Sequence, residues 1–293
     1  MSAQIRPRRS VLYMPGSNPR ALEKAKTLPA DGYIFDLEDA VAPDAKSVAR
    51  DQVCAAVEAG GYGPRELVVR VNGLDTDWAE ADIKAACAAG PNAILLPKVE
   101  SAAEVQTLAQ MMVSYKAPEW TEIWVMMETP RAMFRTLEIA EAHDKLSCFV
   151  MGTSDLVKDL HAHHTPQRLP VLTSLSLCLL AARAEGLSIL DGVYLDLKDE
   201  TGLAESCRQG AQMGFDGKTL IHPNQIAATN RLFAPDEDEV DLSRRIIAAH
   251  AEAEAEGKGV VVVDGKLIEA LHVENAKRLV TLSEPIAANE EHE

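Results

Sequence analysis

Ile123-Trp124-Val125-Met126-Met127-Glu128-Thr129 is an apolar run that ends in a carboxylate. Its apolar residues follow one another without polar alternation. That is the pattern of a strand buried on both faces, as in a parallel sheet covered by helices. Such a run ordinarily stops at a turn residue, so an acid at its end asks for an explanation. Phe149-Val150-Met151-Gly152-Thr153-Ser154-Asp155, the next apolar run, ends the same way. Glu128 and Asp155 together suit one hard cation such as magnesium, which takes oxygen from one or two carboxylates and leaves its other positions to water and substrate.

Outward from these two, short β-rich runs recur at residues 10–14, 33–37, 67–71, 93–97, 188–194 and 218–221. Helical stretches separate them, at 19–26, 45–59, 78–88, 102–112 and 171–185. Eight strand–helix units over about 220 residues predict an α/β fold, the (β/α)8 TIM barrel. A doubly wound open sheet is disfavoured because no GxGxxG fingerprint follows the first strand. The expected division is a TIM barrel catalytic domain over 1–230 and a C-terminal appendage or lid over 231–293. The appendage reads as a charged amphipathic helix over 236–256, a ribbon turning at Asp264-Gly265, and a further helix from near His272. An acidic tail at 289–293 is expected to be unstructured. So small a unit buries little core alone, so it is expected to pack on the barrel or on a neighbouring subunit.

Composition removes several classes of function. A net charge of −16 argues against a nucleic-acid or anionic-membrane partner, and an anionic small molecule then needs a local basic patch. The five cysteines are scattered, without a CxxC pair, which argues against a disulfide framework or zinc site and for a reducing compartment. No secretory leader is evident, and no apolar run approaches the ~20 residues of a membrane helix. A cytoplasmic location is expected.

Active sites of such barrels lie at the C-terminal ends of the strands. The polar residues there include Tyr13, Asp36, Glu38, Asp39, Arg70, Asn72, Lys98, Glu128, Asp155, Asp191 and His222. Charges this dense need partners or a metal. Glu128 and Asp155 are the expected metal ligands. Asp36, Glu38 and Asp39 are expected around them, holding water or Arg70, whose planar fork suits a carboxylate or enolate oxygen. The plainer readings are helix capping by Asp155 and a salt-bridge network of Asp36 and Glu38 with Lys46 and Arg50. The tract His161-Ala162-His163-His164 lies in a loop without a carboxylate partner, and the cysteines read as packing residues.

Arg9-Ser10-Val11-Leu12-Tyr13-Met14-Pro15-Gly16-Ser17, Asp36-Leu37-Glu38-Asp39-Ala40-Val41, Arg70-Val71-Asn72-Gly73, Leu96-Pro97-Lys98-Val99-Glu100, Met127-Glu128-Thr129 and Gly217-Lys218-Thr219-Leu220-Ile221-His222-Pro223 follow in order along the chain. Together they resemble the citrate lyase β-subunit-like branch of the HpcH/HpaI aldolase superfamily. The resemblance implies Mg2+-dependent chemistry on a CoA thioester. Glu128 and Asp155 would hold the metal, and Glu128 would thereby also meet substrate. Arg70 would stabilise an enolate, Tyr13, Arg20 and Lys24 would contact CoA, and Ile221 and His222 would contact substrate. It also implies a homo-oligomer, trimer or hexamer, with active sites shared between subunits. Lyases of this branch carry an acid in a segment G-x-M-I-D-x-P. Here the segment reads Gly265-Lys266-Leu267-Ile268-Glu269-Ala270-Leu271. Glu269 in place of aspartate tilts the expectation to hydrolysis of (3S)-malyl-CoA to malate and CoA, with Glu269 or Asp39 orienting a water. The alternative is reversible carbon–carbon cleavage of malyl-, methylmalyl- or citramalyl-CoA to an acyl-CoA and a 2-oxo acid. A carrier-dependent subunit and an aldolase of free pyruvate are further rivals.

Overall fold

The computed structural model describes residues 6–255, 257 and 260–290. Arg8–Phe233 forms one compact unit, and the chain from Ala234 onward belongs to a second. The first is a closed barrel of parallel strands in sequential order. They are β1 (Ser10–Pro15), β2 (Gly32–Asp36), β3 (Glu66–Arg70), β4 (Ala93–Leu96), β5 (Glu122–Met127), β6 (Leu146–Met151), β7 (Ser188–Asp191) and β8 (Gly217–Leu220). β1 pairs with β8 and closes the ring. This is the TIM barrel that the apolar runs predict. β7 departs most from expectation, ending at Asp191 and leaving 192–194 in a loop.

The lack of alternation in the strands has a direct cause. Ile123, Val125 and Met127 of β5 pack outward against the helices. Trp124 and Met126, between them, pack inside the barrel with Val11, Ile34, Val68, Leu95, Cys148 and Val150. Both faces of each strand are dry, so both favour apolar side chains. At the N-terminal end of the barrel Arg8 lies 4.9 Å over the Trp124 ring and is forked on Glu66 at 2.7 and 2.8 Å. Helix Pro19–Ala25 starts as its sequence dictates, with Asn18 accepting from the Ala21 N–H at 3.2 Å and Pro19 in the first turn.

Strand register decides which polar residues meet at the other end. Asp36 is the partner of Arg70 across β2 and β3, Met127 of Met151 across β5 and β6, and Asp191 of Lys218 across β7 and β8.

The second unit has helix Glu237–Ala255, β9 (Val261–Val263), β10 (Lys266–Ile268) and helix Ala270–Glu290. Asp264 and Gly265 join the ribbon with φ of 49° and 76°. Positive φ at both central residues is what a two-residue hairpin loop demands. Val240, Ala253, Ile268, Val273, Ala276 and Ile286 are its buried apolar residues. The last helix runs to Glu290, so 289 and 290, expected in an unstructured tail, are helical. The remainder of that tail lies outside the described residues. Among the described residues no helix is long and apolar enough to cross a membrane, and the five cysteines are free thiols.

Candidate active site

A cleft of about 380 Å³ opens at the C-terminal ends of the strands. Tyr13, Asp36, Asp39, Arg70, Glu128 and Asp155 line it, with Met126, Val193 and Ile221 as apolar wall.

Arg70 and Asp36 form its most buried ion pair. Nε and Nη2 of Arg70 donate to the two carboxylate oxygens of Asp36 at 2.7 and 2.6 Å. The Glu38 and Ala40 N–H groups also donate to Asp36, at 2.9 and 3.1 Å. Burial opposes ionisation of Asp36, but the guanidinium and these donors hold its carboxyl below the usual range. Asp36 is therefore saturated and serves to aim Arg70. The Arg70 guanidinium lies 4.9 Å over the Tyr13 ring, and its Nη1 is 2.9 Å from Glu38 and 3.9 Å from Asp39. Tyr13 thus supports Arg70 from within the barrel.

Glu38 is buried between two cations: its Oε2 is ion-paired with Arg70 Nη1 at 2.9 Å, and its Oε1 is paired with the Lys98 ammonium. Burial first, then Asp39, raises its carboxyl above the ordinary range against the pull of Arg70 and Lys98. The salt-bridge network read from the sequence takes a different form. Lys46 donates to the backbone carbonyls of Leu37 and Glu38 and to Asn72 Oδ1, each at 2.7 Å. Arg50 pairs instead with Asp82 at 2.7 Å. Lys46 therefore shapes the β2 loop through carbonyls, and the Asp36 and Glu38 carboxylates remain turned to Arg70 and Lys98.

Glu128 follows β5 and is 1% exposed. Its Oε1 accepts from the Lys98 N–H at 2.8 Å, a bond presented by a Lys98 backbone at φ 53°. A lysine in the left-handed region is uncommon, and such outliers gather at functional sites. Burial, with Glu38 adding, pushes the Glu128 carboxyl up to about 7. Gly152 makes the space: a Cβ there would overlap Glu128 Cβ and Oε2. Asp155 lies in the first turn of helix Thr153–Asp159, whose N-cap is Gly152, so it is not the cap. Its Oδ1 pairs with exposed Lys158 at 2.7 Å. Burial raises the Asp155 carboxyl, but the Lys158 hydrogen bond and the Lys98 charge bring it below the usual range.

Among the described residues no group of three His, Cys, Asp or Glu is set to hold a metal. The pair Glu128 and Asp155 nevertheless fits magnesium. Both are hard oxygen donors on one cleft, and a buried carboxylate displaced to about 7 is one that a cation would compensate. The glycine at 152, which keeps Glu128 in place, points the same way. Gly152→Ala is expected to weaken magnesium affinity about 10–100-fold by displacing Glu128. A magnesium titration followed by calorimetry checks this; unchanged affinity would show that the cradle is incidental.

The other anticipated residues are placed as follows. Asp39 is exposed at the rim, 3.8 Å from Lys98 Nζ. Ile221 lines the cleft at 39% exposure, and His222 is exposed and accepts at Nδ1 from the Asn224 N–H at 3.2 Å. Arg20 and Lys24 are exposed on helix Pro19–Ala25 and do not line the cleft. Glu269 belongs to the second unit, exposed at the start of the last helix, with its backbone N–H donating to His272 Nδ1 at 3.0 Å. Sequence reasoning missed the role of Gly152, and it paired Lys46 with carboxylates where the structure pairs it with backbone carbonyls and Asn72. The signal for Gly152 was present, as a glycine placed between the two acidic strand ends.

Residues 9–223 match the family model of HpcH/HpaI aldolase/citrate lyase. The chain belongs to that family. It is similar to a (3S)-malyl-CoA thioesterase of Cereibacter sphaeroides, 51% identical with 98% of this chain and 99% of that protein covered. It is similar also to the citrate lyase subunit beta of Escherichia coli, 34% identical over 98% and 97% of the two chains. Among solved structures, the CitE protein of Mycobacterium tuberculosis in complex with magnesium, acetoacetate and coenzyme A superimposes with a TM-score of 0.73 at 29% identity, covering 97% of this chain and 100% of that one. This member of the HpcH/HpaI family is an enzyme of its citrate lyase beta-like branch.

Proposed function

We propose that the chain is a magnesium-dependent hydrolase of (3S)-malyl-CoA, releasing malate and coenzyme A. The observation that carries this reading is the near-full-length similarity to a (3S)-malyl-CoA thioesterase, on a cleft where two carboxylates face a buried arginine.

Glu128 and Asp155 would hold the ion. A magnesium ion held there would supply charge neutralisation and orientation for the malyl unit. Arg70, aimed by Asp36 and backed by Tyr13, directs N–H groups at the oxygen where charge develops as the thioester carbonyl becomes tetrahedral. Asp39, at the rim near Arg70 and Lys98, or Glu269 supplied by a neighbouring subunit, takes a proton from the attacking water. The water oxygen bonds to the carbonyl carbon, the C–S bond breaks, and the departing thiolate takes up that proton. Arg20 and Lys24, spaced four apart, supply the basic patch for the CoA phosphates that a net charge of −16 requires. The same proposal includes a homo-oligomer, since Val262 and Leu267 sit opposite each other on the ribbon and are both exposed. An active monomer on size-exclusion chromatography would remove that part.

Incubation with malyl-CoA and magnesium, with products read by mass spectrometry, tests the reaction. Malate and free CoA are expected; acetyl-CoA and glyoxylate would replace hydrolysis by carbon–carbon cleavage. Glu269→Asp shortens the acid by one methylene, about 1 Å of reach, and is expected to change the product ratio. An unchanged ratio removes Glu269 from the mechanism and leaves Asp39.

A further inference from the structure

A second cleft, of about 270 Å³, lies beside the first on the barrel unit, between the loops that follow β6 and β7. Thr153, Val193 and Leu195 line both. Its other walls are largely apolar, from Val157, Pro166, Pro170 and Val171. His163, His164, Thr165 and Tyr194 also line it, and the two polar side chains with buried donor groups are Arg168 and Ser206.

Arg168 is anchored through two of its three nitrogens. Nε donates to Gln209 Oε1 at 2.6 Å, and Nη1 donates to both oxygens of Asp191 at 2.7 Å. Nη2 is buried and has no hydrogen-bond partner. Ser206 is 4% exposed and its Oγ accepts from Lys218 Nζ at 3.0 Å, which leaves the hydroxyl proton for another acceptor. Lys218 also donates to Asp191 at 2.9 Å. The single charge of Asp191 therefore faces two cations, and the cluster carries one excess positive charge. Asp196 lines the cleft but is exposed and forms no ion pair with Arg168.

A buried donor without a partner is costly, the more so on a charged group. The Arg168 backbone adds strain, with φ at 56° in the left-handed region. A fold that keeps both features holds the guanidinium ready for an acceptor from outside.

We infer that this cleft binds a small carboxylate with an apolar body. The carboxylate accepts from Arg168 Nη2 and the Ser206 hydroxyl, and the hydrocarbon part lies on Val157, Pro170 and Val171. A phosphate dianion fits less well, because the walls are mostly apolar and the excess charge is single. The inference does not depend on the thioester reading.

Butyrate is a suitable probe for the full-length protein, with binding followed by saturation-transfer NMR. Affinity is expected to fall at least tenfold in Arg168→Lys and in Ser206→Ala, and to persist in Glu128→Gln, which alters only the first cleft. Thermal melting accompanies each variant, since Arg168 also holds Asp191. If Arg168→Lys does not fold, His164→Trp takes its place; it fills the cleft from an exposed position outside the ion cluster and should abolish binding. Loss of binding in Glu128→Gln with retention in Arg168→Lys would put butyrate in the first cleft and overturn the inference. No butyrate binding to the folded wild type would also overturn it, and inorganic phosphate binding as tightly in competition would refute the carboxylate assignment.

Discussion

Glu128→Gln should lower kcat/KM by about 10^3-fold, the equivalent of about 4 kcal/mol of transition-state stabilisation. Glutamine keeps the shape of the side chain and the hydrogen bond from the Lys98 N–H, so the change falls on charge alone. Asp155→Asn should behave alike, and EDTA should reproduce both effects in the wild type. Undiminished activity in EDTA would refute the metal role. Stability of the metal-free protein offers an independent check. The Glu128 carboxyl is raised from the usual 4.5 to about 7 by burial. Between those values the folded chain binds a proton that the unfolded chain has lost, so stability falls as pH rises through the window. At about 1.4 kcal/mol for each unit, the loss over these two and a half units is at most about 3.5 kcal/mol. Urea denaturation at pH 5 and pH 8 should therefore show wild type losing ground to Glu128→Gln at the higher pH. Added magnesium should restore the wild type there. A gap between the two proteins that does not change with pH would mean that Glu128 titrates normally.

Arg70→Ala should be the most damaging single truncation at this end of the barrel. It leaves Asp36 buried without a counter-charge, which costs about 3–5 kcal/mol when one partner of a buried pair is removed. Arg70→Lys separates structure from chemistry. The ammonium keeps the charge but cannot span both oxygens of Asp36 while still presenting Nη1 to the cleft. It should cost less stability than the alanine variant, yet reduce kcat/KM by about 10^2-fold or more. The double variant Asp36→Leu with Arg70→Met should recover much of the stability and none of the activity, since an apolar pair of similar volume can replace a buried ion pair. Denaturation midpoints and steady-state kinetics on the three proteins decide the matter. Wild-type kcat/KM in Arg70→Lys would show that the fork contributes only to packing.

The barrel was legible because burial on both faces leaves a mark on each strand separately. Ile123 to Met127 is apolar throughout since Trp124 and Met126 fill the interior while their neighbours meet helices. The ribbon turn was legible for a similar local reason, as Asp264-Gly265 carries the residues that tolerate positive φ. Strand-end acids also stand out locally, which is how Glu128, Asp155 and Asp36 came to notice. Their partners did not. Lys46 and Arg50 are equally plausible cations for Asp36 by sequence distance, and the structure sends one to backbone carbonyls and the other to Asp82.

Local composition by itself determined the fold class, the face of the barrel that carries chemistry and the types of side chain available there. These follow from how each short segment divides between apolar surroundings and water, a property every segment carries with it. Only the tertiary structure decided which charges meet. Closure of the ring sets Asp36 beside Arg70 and Asp191 beside Lys218 through strand register. It also brings Gly152 against Glu128, and leaves Arg168 with one buried nitrogen unpaired. Ion pairing and close packing act over a few ångströms between segments tens of residues apart, so they become definite only once the whole sheet has closed.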